Sequence, residues 1–279
     1  MVNLSIKRNC LFKKVRRLSF CLLFFLACSS PQEKSRYLNN YSQIRVIDVI
    51  DGDTIVLENN RHLRLIGMDT PEIRKKEAGK FIYQPQAFSR EAKQFVEKLV
   101  KGKMVRVEFD LEKEDKYSRL LGYCFLKKEA GEVFLNKKLL REGLAVLYTF
   151  PPNVRYVEEF LKAQKEARKD KRGLWGAYEI IAPGEARNFI GQIRTVRGKV
   201  LSTYDSGKAV FLNFGQNYKS DFTIVIFKNS LVYFNQIGIK PNIFYKGKTI
   251  EVSGRIREYN GPEIIANSPY EIEVLDEPR

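Results

Sequence analysis

Asp53, Asp69 and Glu72 are acidic residues whose spacing can place oxygen ligands on one rim, and Arg64 lies between the first two in the chain. Asp53 belongs to Asp51-Gly52-Asp53-Thr54, and an Asp-Gly pair between apolar runs at 46–50 and 54–57 is a strong hairpin signal. A third run, 62–66, follows the Asn59-Asn60 turn, which predicts three short antiparallel strands. Asp53 then sits just past one turn, and Asp69 and Glu72 just past the end of the third strand. Carboxylates at strand ends can converge on one rim and offer oxygen to a hard cation. Thr70 precedes Pro71, which keeps its backbone extended and its carbonyl free as a further ligand. Arg64, on the strand feeding this corner, carries a planar fork of donors suited to a phosphate. Taken singly, Asp-Gly is an ordinary turn and Asp-Thr-Pro-Glu an ordinary helix entry.

A third block changes that balance. Asp115-Lys116-Tyr117-Ser118-Arg119 lies in a charged loop, 110–119, between predicted strands at 105–109 and 120–126. The ordered set Asp-Gly-Asp-Thr, Arg-x₄-Asp-Thr-Pro-Glu, Asp-Lys-Tyr-x-Arg resembles the thermonuclease (staphylococcal nuclease-like) family. The resemblance runs through Glu142-Gly143-Leu144-Ala145, Tyr148, Pro152-Asn153 and Gly173-Leu174-Trp175, and spans residues 44–176. It implies Ca²⁺ held by Asp53, Asp69 and the Thr70 carbonyl, with Glu72 as general base. It further implies that Arg64 and Arg119 grip the phosphate, Lys116 and Tyr117 bind a neighbouring phosphate, and Tyr148 stacks on a base. The activity it implies is a Ca²⁺-dependent, sugar-nonspecific endonuclease acting on DNA and RNA. The alternative is a non-catalytic lipoprotein that binds nucleic acid or another polyanion; retention of all five charged site residues favours the enzyme.

The chain has 279 residues, a formal net charge of +16 and a hydrophobic fraction of 44%, enough for two cored domains with polyanionic partners. The single histidine, His62, argues against zinc sites built on several histidines and against Ser-His-Asp hydrolysis. His62 itself reads as a packed or surface strand residue. Residues 1–17 carry six basic residues and no acidic one, and 18–27 form an apolar run too short to span a bilayer. That layout is a signal peptide over 1–27. Its end, Phe25-Leu26-Ala27-Cys28, resembles a bacterial lipoprotein signal, implying lipidation of Cys28, a membrane anchor and a tether over 28–43. The alternative is plain secretion. Cys124, in an apolar run, reads as a buried strand residue, and no disulfide framework is implied. No protein partner follows from the sequence.

The predicted fold is mainly β with helices: two OB-type five-stranded barrels in tandem, the first nuclease-like with about three helices. Helical spacing starts near Gln86, a short helix follows at 136–142, and a long charged one covers 154–171, whereas 73–85 reads as a loop. Residues 177–187 read as a linker. In 188–279, extended runs at 193–203, 208–214 and 222–228, a helical turn at 230–234, then runs at 249–258, 263–266 and 270–275 follow the order of a second OB-like domain. Lys199, Lys208, Lys219, Arg255 and Arg257, with Tyr204, Phe214, Tyr218 and Tyr259, form a candidate basic and aromatic face.

Overall fold

Alternating burial along the first strands builds a barrel. A computed structural model describes residues 39–129 and 131–275; the leader, Cys28 and the tether before residue 39 lie outside the described residues. Strand β1 (Tyr41–Asp51) turns inward Ile44, Val46 and Val49 and is followed by β2 (Thr54–Leu57) and β3 (His62–Leu65) in an antiparallel meander. After β4 (Gly67–Asp69) and the hairpin β5 (Arg74–Glu77) and β6 (Lys80–Tyr83) comes helix α1 (Ser89–Val100). Strand β7 (Met104–Glu114) pairs with β1, and β8 (Leu120–Lys128) pairs antiparallel with β7 and parallel with β3. Strands β1, β2, β3, β7 and β8 close a barrel in the OB order, so the first half is mainly β with a few helices, as expected. His62 is exposed on β3, and Cys124 is buried on β8 with its thiol pushed up to about 12 by burial.

Two local details depart from the sequence reading. Helix α1 begins at Ser89 rather than Gln86 because Phe88 stands at φ 67°, outside the helical region. Residues 74–83 form the β5–β6 hairpin instead of a loop, turning at Ala78-Gly79 with φ of 47° and 80°. Positive φ at both turn residues suits the strand twist, but alanine there hides the usual Asn-Gly signal.

Beyond β9 (Gly131–Phe134), helix α2 (Leu135–Arg141) is anchored by a polar residue in the core. The buried Asn136 accepts from Cys124 N at 3.0 Å and donates to Ile66 O at 2.9 Å. Strand β10 (Val146–Tyr148) pairs with β4, and helix α3 (Val157–Lys169) buries Phe160, Ala163 and Ala167. Gly67 is required at this corner, since a Cβ there would lie 2.3 Å from the Phe160 ring, at φ +84°.

Short helix α4 (Leu174–Ala177) leads into the second half. Here β11 (Ile193–Lys199), β12 (Ser202–Asp205), β13 (Ala209–Asn213) and β14 (Thr223–Phe227) precede helices α5 (Leu231–Gln236) and α6 (Pro241–Phe244). Strands β15 (Thr249–Arg255), β16 (Arg257–Glu258), β17 (Pro262–Ile265) and β18 (Ile272–Val274) follow. They form two sheets, β11-β15-β18 and β12-β13-β14-β17-β16, around a second core that includes Val196, Leu212, Ile224 and Ile250.

The halves pack on each other. Val146, Leu174 and Ile193 share a small apolar cluster with Trp175 and Tyr178. Arg168 on α3 bonds Glu251 on β15 and, at 2.8 Å, Glu273 on β18. Buried Glu271 accepts from Thr149 N at 2.7 Å and Asn267 N at 2.8 Å; burial pushes its carboxyl up to about 7 against these bonds. Within residues 177–187, Ile181 bridges to Val196, and a 3₁₀ turn runs over Pro183–Phe189. Of the expected basic and aromatic face, Phe214 instead enters the core beside Phe222, with ring centres 5.2 Å apart, and Arg255 points into the first half. An apolar ring and a paired guanidinium both gain more from those partners than from water.

Candidate active site

The β1–β2 turn sets the first ligand. Gly52 lets the turn approach α1, where a Cβ would lie 2.7 Å from that of Ala92 and 3.0 Å from Thr70. Asp53, only 5% exposed, is fixed from three sides. Its Oδ2 accepts from Thr70 N at 3.2 Å and Thr70 Oγ1 at 3.0 Å, and its Oδ1 accepts from Thr54 Oγ1 at 3.1 Å. Arg64 on β3 pairs with the same carboxylate and reaches across to Asp69 Oδ1 at 3.0 Å and Met68 O at 3.3 Å.

Arg64 thus bridges both carboxylates and keeps its fork in one plane. Burial works against its charge, but Asp53 and Asp69 outweigh it and hold the guanidinium above its ordinary value. Burial likewise pushes Asp53 up, with Arg64 opposing. Glu72 lies at the rim of this cluster. Burial and the neighbouring Asp53 and Asp69 raise its carboxyl, while Arg255 pulls the other way.

Arg255, at the end of β15, is the residue that sequence reading missed here. Its Nε donates to Asp69 Oδ2 at 3.0 Å and its Nη2 donates to the Thr70 carbonyl at 2.7 Å. Nη2 also lies 3.4 Å from Glu72 Oε1, and Nη1 donates to Gly191 O at 2.9 Å and Gln86 Oε1 at 3.3 Å. Gln86, just before α1, accepts from Glu72 N at 3.1 Å and donates to Gly191 O at 2.8 Å, so it joins the two halves at this point. No local signal marks Arg255: the partner carboxylate is 186 residues away.

The remaining expected residues fall in two places. The parallel register sets Arg64 opposite Leu121, so Arg119 enters two residues earlier, about 6–7 Å along the strand. Arg119 pairs with Asp115 at 2.8 Å and not with Asp53, Asp69 or Glu72. Asp115 also accepts from the Tyr117 and Arg119 backbone N–H groups at 2.9 Å, which shapes the loop and leaves Lys116 and Tyr117 exposed. Tyr148 pairs with Gly67 at the end of β10, next to exposed Phe150, and its hydroxyl lies 3.5 Å from Arg257.

A hard cation is compatible with the donors present. Among the described residues no group of three His, Cys, Asp or Glu side chains gathers as a metal site; the set here is two carboxylates and a backbone carbonyl. Those oxygens already accommodate positive charge, in the form of Arg64 and Arg255. The set is oxygen-only, which suits Ca²⁺ or Mg²⁺ rather than a soft metal.

The family model for Staphylococcal nuclease homologue matches residues 62–177. A thermonuclease of Staphylococcus hyicus is 37% identical over 155 residues, covering 54% of this chain and 86% of that protein. A thermonuclease of Staphylococcus intermedius is 39% identical over 130 residues, 46% of this chain and 72% of the relative. Endonuclease YncB of Bacillus subtilis is 32% identical over 157 residues, 53% and 70% respectively. With the closed barrel and the Asp53–Arg64–Asp69 cluster, these likenesses establish that the chain belongs to the staphylococcal nuclease family.

Proposed function

We propose that the chain is a Ca²⁺-dependent, sugar-nonspecific endonuclease that hydrolyses phosphodiester bonds in DNA and RNA. The observation carrying this reading is the convergence of Asp53, Asp69 and the Thr70 carbonyl beside Arg64 and Glu72. Asp53, Asp69 and Thr70 O would hold the ion, which when bound would supply charge neutralisation at the phosphoryl oxygens. Glu72, with its carboxyl raised, accepts the proton of the attacking water as the new P–O bond forms; the P–O bond to the leaving sugar oxygen breaks, and that oxygen takes a proton from solvent. Arg64 presents its fork to the charge that develops on phosphorus-bound oxygen, and Arg119 swings from Asp115 to the same phosphate. Lys116 and Tyr117 meet the next phosphate, and Tyr148 with Phe150 offers rings to a base. Closed circular DNA and RNA incubated with the full chain should both be cut with Ca²⁺ and neither in excess chelator. Cutting that persists in chelator, or no cutting of either substrate with Ca²⁺, overturns the reading.

The second half is read as another OB-type barrel spanning 188–279. Support comes from its strand pairing: β11 with β12, and β15 with β16, act as two long strands broken at Val200-Leu201 and Ile256. Joined so, the order closes, with β14 and β17 parallel as β3 and β8 are in the first barrel. The export reading rests on residues 1–28 alone: a cleaved leader and a lipid on Cys28. Fatty-acid labelling should mark the native chain and not Cys28→Ala; label absent from both leaves plain secretion as the better account.

A further inference from the structure

The geometry points to Arg255 as a resident cation that competes with the metal for Asp69 and the Thr70 carbonyl, so that the second half sets the metal affinity of the site. The inference rests on the Ca²⁺ reading above. The guanidinium contacts two of the three oxygens assigned to the ion, at 3.0 and 2.7 Å, and stands 3.4 Å from Glu72. The side chain is only 17% exposed, so its charge is held by these acceptors rather than by water. Residue 255 also lies outside the family match at 62–177, so nothing in the nuclease half supplies it.

Both occupants cannot keep those oxygens. Each of these oxygens has two lone pairs, so the conflict is one of charge and space: Nη2 at 2.7 Å from Thr70 O and Nε at 3.0 Å from Asp69 Oδ2 put a cation where a divalent ion would sit, and the two charges repel. Entry of the ion therefore requires Arg255 to give up both bonds and turn toward Gln86 Oε1 and Gly191 O, which it already contacts. Arg255 sits on β15, and β15 is held against the nuclease half by the Arg168–Glu251 pair. Displacing the guanidinium thus strains the contact between halves. By reciprocity, anything that loosens that contact strengthens ion binding, and the ion loosens the contact in return.

Calorimetry with Ca²⁺ alone and the full chain tests this. Arg255→Gln keeps a hydrogen-bonding side chain but removes the charge, and should tighten the dissociation constant by about tenfold or more. Arg168→Ala leaves every site residue in place, and should shift affinity in the same direction by a smaller factor. Hydrogen exchange gives a second readout: Ca²⁺ should lower amide protection along β15 and β11 in the native chain and leave it unchanged in Arg255→Gln. Equal Ca²⁺ affinity in the native chain and Arg255→Gln overturns the inference and leaves the Ca²⁺ reading standing. Weaker binding by Arg255→Gln also overturns it, making Arg255 a support for Asp69 rather than a competitor. No Ca²⁺ binding by either protein overturns both readings together.

Discussion

Arg64→Lys should fold normally and cut roughly two to three orders of magnitude more slowly at saturating substrate. Lysine keeps the positive charge that buried Asp53 and partly buried Asp69 need, so the barrel corner stays neutralised. It cannot reproduce a fork that bonds Asp53, Asp69 and the Met68 carbonyl at once, because its ammonium is a single point on a flexible stem. The fork that Arg64 would turn from these acceptors to the phosphate is therefore lost while the charge that attracts substrate persists, so kcat should fall far more than KM rises. Steady-state kinetics on a defined oligonucleotide, with circular dichroism to confirm folding, measures this. A variant with near-native kcat would remove Arg64 from the mechanism.

Asn136→Ala should lower the stability of the nuclease half by about 2–4 kcal/mol. The native side chain is fully buried and uses both ends of its amide: it accepts from Cys124 N and donates to Ile66 O and Gly122 O. Alanine leaves a strand N–H on β8 and a carbonyl at the end of β3 without partners, in a place water does not reach. Thermal unfolding should shift downward by roughly 5–15 °C. A shift within error of zero would mean that the freed groups find new partners or that water enters.

The part of the site that local chemistry specifies was legible in the chain. Asp51-Gly52 forces a turn, Pro71 holds Thr70 extended, and alternating apolar residues set the strands, so Asp53, Asp69 and Arg64 could be brought to one rim on paper. The helix ends were less legible: Phe88 takes a positive φ, which local spacing does not announce, and its ring lies 5.9 Å from that of Tyr178, far along the chain. Arg255 was not legible as a site residue at all. In sequence it is one basic residue in Gly254-Arg255-Ile256-Arg257, with the same composition as an exposed strand end. What distinguishes it is register: β15 sets Arg255 opposite Ile193, beside the Gly191 carbonyl, and so aims it at Asp69. Phe214 illustrates the same limit, since an aromatic on a strand is equally suited to a base or to a core until the other sheet is placed.

The contact between Asp69 and Arg255 closes a span of 186 residues, and this orders events during synthesis. Domains generally fold as units from the amino end as the chain emerges. The barrel from β1 to β8, with α2 and α3 packed on it, is complete in sequence long before residue 255 has been made. Asp69 and the Thr70 carbonyl therefore form their corner first and receive their guanidinium last. A nascent chain should then pass through a stage in which the rim is built and uncovered, with the arrival of β15 supplying the guanidinium that the finished protein carries.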